Sequence, residues 1–522
     1  MNWLWTCSVA LLALETAQAQ HWRGNGFGWG WQLPGRNIKP PVGIKQGFFT
    51  QVLDHKNPGL GTFRQRYWYD TQYWKGPGSP VVFLNAGEVD ASGYTGYCTN
   101  ETITGLIAQE IGAATIVFEH RYWGESSPFS ELTTANLTYL TLENSIQDMI
   151  HFAQNVRLPF AWHTNAADVP WILVGGSYPG ALAAYTASVA PGTFWAYLAS
   201  SAPVQVISDF WQYFAPVQAG MPTNCSADVA KVIDYMDNVM EHGSESQIQD
   251  LKNKFGLGEL QHNDDFMTTL ENGPWLWQAN SDLSISGFWD WCDYVENSVN
   301  ASGSSLPGPE GVGLEKALDG YAAWLRSYIP GSCASYGYFQ GDENTDCYDS
   351  YDASSPIFTD LSVNNTASRQ WTWILCNQPF GFWQDGAPEG RPSPVSRLST
   401  PAYWIRQCGL YFPTGPQGQT YGINKGATQA EVNAYTGGWE ITNTTRLVYT
   451  NGEFDPWRSG SVSSTFRPGG PLASTPQVPI NLIPGGVHCY DLLAASGQAN
   501  AAIEQVQRAE VAQMMKWVAE WP

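Results

Sequence analysis

The chain has 522 residues, and its 25 lysines and arginines stand against 47 aspartates and glutamates for a formal net charge of −22. That imbalance repels phosphate backbones and anionic headgroups, which excludes nucleic acid and membrane surfaces as partners. With 43% hydrophobic residues the chain is not disordered, and its length fits one large domain carrying an insertion.

The amino end, residues 1–19, holds an apolar run from Trp3 to Leu14 and then Ala17-Gln18-Ala19, a small-x-small pattern. It is expected to be a secretory signal. Residues 20–43 are rich in Gly, Trp and Pro without periodicity, so a pro-segment or unstructured leader is expected there. Cys7 would leave with the signal. The remaining eight cysteines, Cys98, Cys225, Cys292, Cys333, Cys347, Cys376, Cys408 and Cys489, are an even count that implies disulfides, with the pairing left open. Sequons at Asn100, Asn136, Asn224, Asn300, Asn364 and Asn443 are expected glycosylation sites. No CxxC pair occurs, and neither a metal nor a cofactor is expected.

Phe49–Leu53 and Phe63–Tyr69 interleave apolar and polar residues, as half-buried antiparallel strands do. Pro80–Leu84 and Ala114–Phe118 are short apolar runs that suit strands covered on both faces. The second run is closed by Glu119-His120-Arg121-Tyr122-Trp123-Gly124-Glu125-Ser126, whose nearly cancelling charges predict an ion-pair network holding loops. A helix is predicted over Leu142–Val156. Trp171–Val174 then runs into Gly175-Gly176-Ser177-Tyr178-Pro179-Gly180, with small residues two before and three after the serine and helix formers beyond it. This is the form of a nucleophile elbow, a serine held at the apex between a strand and a helix.

Strand–helix alternation predicts a mostly parallel sheet with helices on both faces over residues 44–207. From 208 to 420 strand runs give way to helix-like segments, most of the cysteines and many tryptophans, which reads as a disulfide-stapled helical insertion. The sheet resumes over 421–522, with strands at Arg446–Thr450 and Val478–Ile483. An amphipathic tail helix follows, striped with Ile503, Val506, Val511, Met514, Met515 and Val518.

A serine hydroxyl needs a base, and the base needs an acid to orient it. Three histidines follow Ser177: His242 and His262 lie in charged stretches of the insertion, whereas His488 follows a predicted sheet strand. Asp455 sits directly after the other late strand, in a loop stiffened by Pro456. The order Ser177, Asp455, His488 is that of an α/β-hydrolase, here with a large helical cap inserted between nucleophile and acid. In that fold the backbone N–H of Tyr178 is an oxyanion donor, and the loop at Gly87 and Glu88 supplies the second.

Gly175–Gly180, Phe118–Ser126 (FEHRYWGES), Ala199–Val204 (ASSAPV), Asn451–Trp457 (NGEFDPW) and the late His488 together resemble the prolyl carboxypeptidase and dipeptidyl peptidase II family of serine peptidases. Gln51–His55 and Phe63–Trp68 fit it too, so the likeness spans nearly the whole chain from Phe48 to Asp491. Within the family the chain is most similar to secreted fungal acid prolyl endopeptidases, notably at Leu375–Phe380 (LCNQPF). The resemblance implies a triad of Ser177, Asp455 and His488 and cleavage after proline in peptide or protein substrates. It also implies a proline pocket bordered by Tyr178 and Trp457, with Trp383 from the insertion. Secretion and an acid optimum are expected. A proline-specific exopeptidase, an esterase on the same fold and an inactive binding protein are the alternatives; the loop Asn85-Ala86-Gly87-Glu88 departs from the GNEG-like sequence of animal members, which bears on terminus recognition.

Overall fold

The structure is a computed structural model, and it describes Pro34, Ile38 and residues 43–522 apart from 282, 284, 285 and 300–305. The expected signal, nearly all of the expected leader and Asn300 therefore lie outside the described residues. Among the described residues ten strands form: β1 (Lys45–Val52), β2 (Thr62–Asp70), β3 (Val81–Asn85), β4 (Ala114–Phe118), β5 (Trp171–Gly176), β6 (Ala196–Ser200), β7 (Ile207–Asp209), β8 (Gly381–Trp383), β9 (Leu447–Gly452) and β10 (Ile480–Ile483). Eight of them make one sheet in the order β1-β2-β4-β3-β5-β6-β9-β10. The β1–β2 and β2–β4 pairs are antiparallel and all other pairs in this sheet are parallel.

The alternation of side chains explains why β3 and β5 are apolar throughout. Val82, Leu84, Ile172 and Val174 face a layer containing the helices Ile103–Ile111 and Ala501–Ala519, through Ile103, Ile107, Met514 and Trp517. Val81, Phe83, Trp171 and Leu173 face the opposite layer, built from Leu142–Asn155 and Tyr178–Val189. Burying both faces stabilises each large side chain by about 1.5–3 kcal/mol. The chain reverses its direction of travel across the sheet at β3, which has β4 on one side and β5 on the other. Open α/β sheets bind ligands at such a point, at the carboxyl ends of the strands.

Between β6 and β9 the chain is mostly helical, with long helices at Thr223–His242 and Leu314–Tyr328. Disulfides join Cys225 to Cys292, Cys333 to Cys347 and Cys376 to Cys408, the last linking the helices Arg369–Asn377 and Pro401–Tyr411. Cys98 and Cys489 are buried as free thiols, so six of the eight expected cysteines pair. The insertion is not free of strands: β7 and β8 pair in parallel at its border, Ile207 opposite Gly381 and Asp209 opposite Trp383. Among the described residues no helix is long and apolar enough to cross a membrane.

The expected ion-pair network forms around the segment after β4. Arg66 holds Glu119 at 2.5 Å, Glu125 at 2.7 Å and Asp90 at 2.8 Å. Arg121 grips Asp148 with two nitrogens at 2.6 Å and donates to the carbonyls of Leu53 and Tyr139. Both arginines are buried and serve to fix loops over the edge of the sheet.

Candidate active site

Strand β5 ends on two glycines and delivers Ser177 with φ +61° and ψ −128°, a backbone conformation that L-residues rarely adopt. A Cβ at Gly175 would lie 2.1 Å from the carbonyl oxygen of Pro179, and one at Gly180 would lie 2.6 Å from that of Ser200. Glycine at both places is what lets the turn close. Pro179 stands where the usual G-x-S-x-G pentapeptide has its second glycine. It falls in the first turn of the helix Tyr178–Val189, where no N–H is required. The Tyr178 N–H is in that same turn, among donors that have no acceptor within the helix.

Two further residues come together at the same end of the sheet. Because β10 lies parallel to β9, with Ile483 opposite Gly452, the loops after both strands leave the sheet side by side. They are joined by Glu453 N donating to Ile483 O at 2.9 Å and Phe454 N donating to Gly486 O at 2.8 Å. Asp455 caps a short turn, its Oδ1 accepting Trp457 N at 3.0 Å, and lies 2.8 Å from His488 Nδ1. Neither side chain is exposed. A carboxylate oxygen can only accept, so Nδ1 carries the proton and Nε2 is the basic nitrogen.

Strand β6 ties the two halves. The backbone of Ser200 accepts Ser177 N at 2.9 Å, and the hydroxyl of Ser201 accepts Cys489 N at 2.8 Å. Both serines lie in ASSAPV, a stretch whose role the sequence does not disclose.

Ser177 opens on a narrow, mostly aromatic cleft. Tyr178, Trp371 and Phe380 form one wall, with the Tyr178 ring edge-on to Trp371 at 5.4 Å and to Phe380 at 6.1 Å. Trp457 and Phe382 form another, 5.3 Å apart, and the Trp457 indole N–H donates to Gln278 Oε1 at 2.8 Å. Pro203 and Ala181 complete the apolar lining, and Glu88 is its one ionisable side chain apart from Tyr178. Burial pushes the Glu88 carboxyl up to about 8.

Of the residues expected at the pocket, Tyr178 and Trp457 line it and Trp383 does not. Trp383 stacks on Trp404 at 6.4 Å. Its neighbour Phe382 lines the cleft, since adjacent residues of a strand point to opposite faces. Gly87 is also used otherwise than expected. Its N–H donates to Asn85 Oδ1 at 2.9 Å, and at φ +74° a Cβ there would lie 2.3 Å from Pro179 Cγ. The residue lets the loop pack on the elbow, while Glu88 of the same loop reaches the cleft. Of the expected glycosylation sites, Asn100, Asn364 and Asn443 are exposed, and Asn136 and Asn224 are half-buried.

An α/β-hydrolase sheet that raises a serine at its strand-to-helix turn is the framework of a serine hydrolase. The chain belongs to the serine carboxypeptidase S28 family, which matches residues 51–273 and 333–510. It is 42% identical over 499 residues to the serine protease vicPb of Bipolaris victoriae, covering 93% of this chain and 92% of that one. It is also 42% identical to vicPa of the same organism, over 91% of this chain and 89% of the relative. A probable extracellular serine carboxypeptidase of Arthroderma benhamiae is 29% identical over 88% of this chain and 63% of its own length. The protein is thus a serine peptidase.

Proposed function

We propose that this serine peptidase is secreted, works in acid and cuts peptide chains internally on the carboxyl side of proline. The observation that carries the reading is the aromatic cleft beside Ser177. Proline is compact, apolar and lacks an N–H, so a dry aromatic pocket selects it by shape and leaves no donor unpaired. Residues 44–207 and 421–522 are assigned to the catalytic sheet and 208–420 to its cap, which brings Trp371, Phe380 and Phe382 over the elbow.

In this reading Ser177 Oγ attacks the prolyl carbonyl carbon as its proton passes to His488 Nε2. Asp455 stabilises the imidazolium through Nδ1–H. The oxyanion is met by the N–H groups of Tyr178 and Glu88. The C–N bond then breaks and the imidazolium protonates the leaving amine; water repeats the sequence and frees Ser177. A neutral Glu88 keeps the pocket uncharged in acid, which favours acid operation. Three disulfides suit an extracellular setting.

The test is a peptide blocked at both ends with one internal proline, digested from pH 3 to 8 and read by mass beside its alanine counterpart. Cleavage after proline alone, fastest in acid, is the expected result. A blocked peptide left intact while free-ended ones lose terminal residues would make the enzyme an exopeptidase, the reading that the name of the Arthroderma relative favours.

A further inference from the structure

We infer that His120 is a positioning residue for the substrate pocket, acting through the hydroxyl of Tyr178 to hold the ring that forms one wall. The inference rests on the pocket reading above and concerns a residue that is not among the cleft's lining.

His120 follows β4 and is buried among loops. Its Nδ1 lies 2.9 Å from the carbonyl oxygen of Arg121 and its Nε2 lies 3.2 Å from the hydroxyl of Tyr178. A carbonyl oxygen accepts only, so in the neutral ring the proton is on Nδ1 and Nε2 presents a lone pair. The Tyr178 hydroxyl therefore donates to His120. The Trp123 ring stands edge-on to the imidazole at 4.9 Å and keeps its plane fixed. A leucine of similar bulk would fill the space but leave a buried phenol without this acceptor. Such a ring turns to find another partner, and the wall it shares with Trp371 and Phe380 moves with it.

The uncharged imidazole is the acceptor for the phenol: a proton on Nε2 reverses the bond, makes the Tyr178 oxygen the acceptor and sends the phenolic proton to another partner. Burial lowers the His120 pKa to about 4. The charged groups facing it are Arg121 of its own segment and Asp148 of the helix Leu142–Asn155, already paired with each other. Glu88 faces Tyr178 from the loop after β3. Ser145 is the other polar side chain beside the Tyr178 hydroxyl, and its own proton goes to Thr141 O at 2.9 Å.

The experiment measures KM and kcat of the full secreted enzyme on the blocked proline peptide for wild type, His120→Leu, His120→Gln, Tyr178→Phe and the Leu/Phe double variant. At pH 5, His120→Leu should raise KM about tenfold with a smaller effect on kcat, and His120→Gln, whose amide oxygen accepts in place of Nε2, should recover most of that loss. In the Tyr178→Phe background, His120→Leu should change KM less than about twofold, because the hydroxyl it served is gone. Equal KM changes in both backgrounds would overturn the inference, as would Ser145→Ala reproducing the whole effect. The wild-type KM should also rise as pH falls through about 4, and that rise should vanish in Tyr178→Phe. The same rise in both would overturn the inference without needing His120→Leu to fold. A wild-type enzyme that cuts after alanine as well as after proline overturns the pocket reading alone, since the coupling of residues 120 and 178 is read on whichever peptide is cut.

Discussion

Ser201 and Cys489 are joined by a 2.8 Å hydrogen bond from the Cys489 N–H to the Ser201 hydroxyl, and both have left-handed backbones, with φ of +47° and +56°. Together with Ser177 they are three of the nine non-glycine residues with positive φ among those described, and all three lie at one end of the sheet. Strain of this kind costs about 1–3 kcal/mol per residue and persists only where neighbours enforce it. Replacing Ser201 by alanine leaves the buried Cys489 N–H without its acceptor. A stability loss of about 1–3 kcal/mol is expected, with kcat falling more than KM as the His488 loop loosens. Denaturant melts and steady-state kinetics measure both.

Ser177→Ala should abolish peptide hydrolysis and labelling by a fluorophosphonate while the melting curve stays close to wild type. Asp455→Asn should lower kcat by about four orders of magnitude, because an amide no longer fixes the Nδ1 proton. Normal turnover in either variant would refute the triad.

Glu88→Gln addresses the pH profile. The folded carboxyl titrates near 8, above the ordinary glutamate value, so it is neutral in acid and gains charge as pH rises through about 8. A charge inside an apolar cleft opposes proline binding. Wild-type kcat/KM should therefore fall on the alkaline side by up to tenfold per pH unit, and the amide should shift or remove that fall. An unchanged alkaline limb would show that Glu88 does not control it.

Stability should likewise favour acid. Burial pushes Glu119 up to about 7 and Asp265 and Asp491 up to about 6. Their folded pKa values exceed the unfolded ones, so their stabilisation is full below about pH 4 and is lost as pH rises through 6 to 7. Each contributes a slope of about 1.4 kcal/mol per pH unit in that window. Asp148 opposes them at the acid end: burial alone would raise its pKa, but the Arg121 charge and hydrogen bonds outweigh burial and hold it below the usual carboxylate value. Its contribution is lost as pH falls through that lowered value. Thermal melts from pH 3 to 9 should peak near pH 4, fall between about pH 4 and 7, and lose no more to these three groups above that.

Much of this architecture was legible in the sequence because strands buried on both faces leave an uninterrupted apolar signal. β3, β4 and β5 announce themselves in that way, and Asp455 and His488 could be chosen because each follows a late strand, the buried β9 and the half-exposed edge strand β10. Strand β6 was missed because Ala196-Tyr197-Leu198-Ala199-Ser200 has only two large apolar residues; the other three are small, as close packing against the elbow helix requires. β7 and β8 are three residues each, too short for any periodicity. The Trp383 error was one of register, since composition cannot say which of two adjacent aromatics faces a cleft. Gly87 deceived differently: a glycine that serves as an open N–H donor and one that makes room for Pro179 look the same on paper.

Strand β10 is one of the two edge strands of the sheet and, among the described residues, pairs within it with β9. On the proposed assignment, the imidazole that arms Ser177 lies in the loop after β10 and leaves the ribosome 311 residues after the nucleophile. A half-made chain holds a hydroxyl with no base, and proteolytic power arrives only when the carboxyl-terminal flap has docked. Biosynthesis itself would then act as a safety catch, guarding the cell that makes the enzyme until the chain is nearly complete.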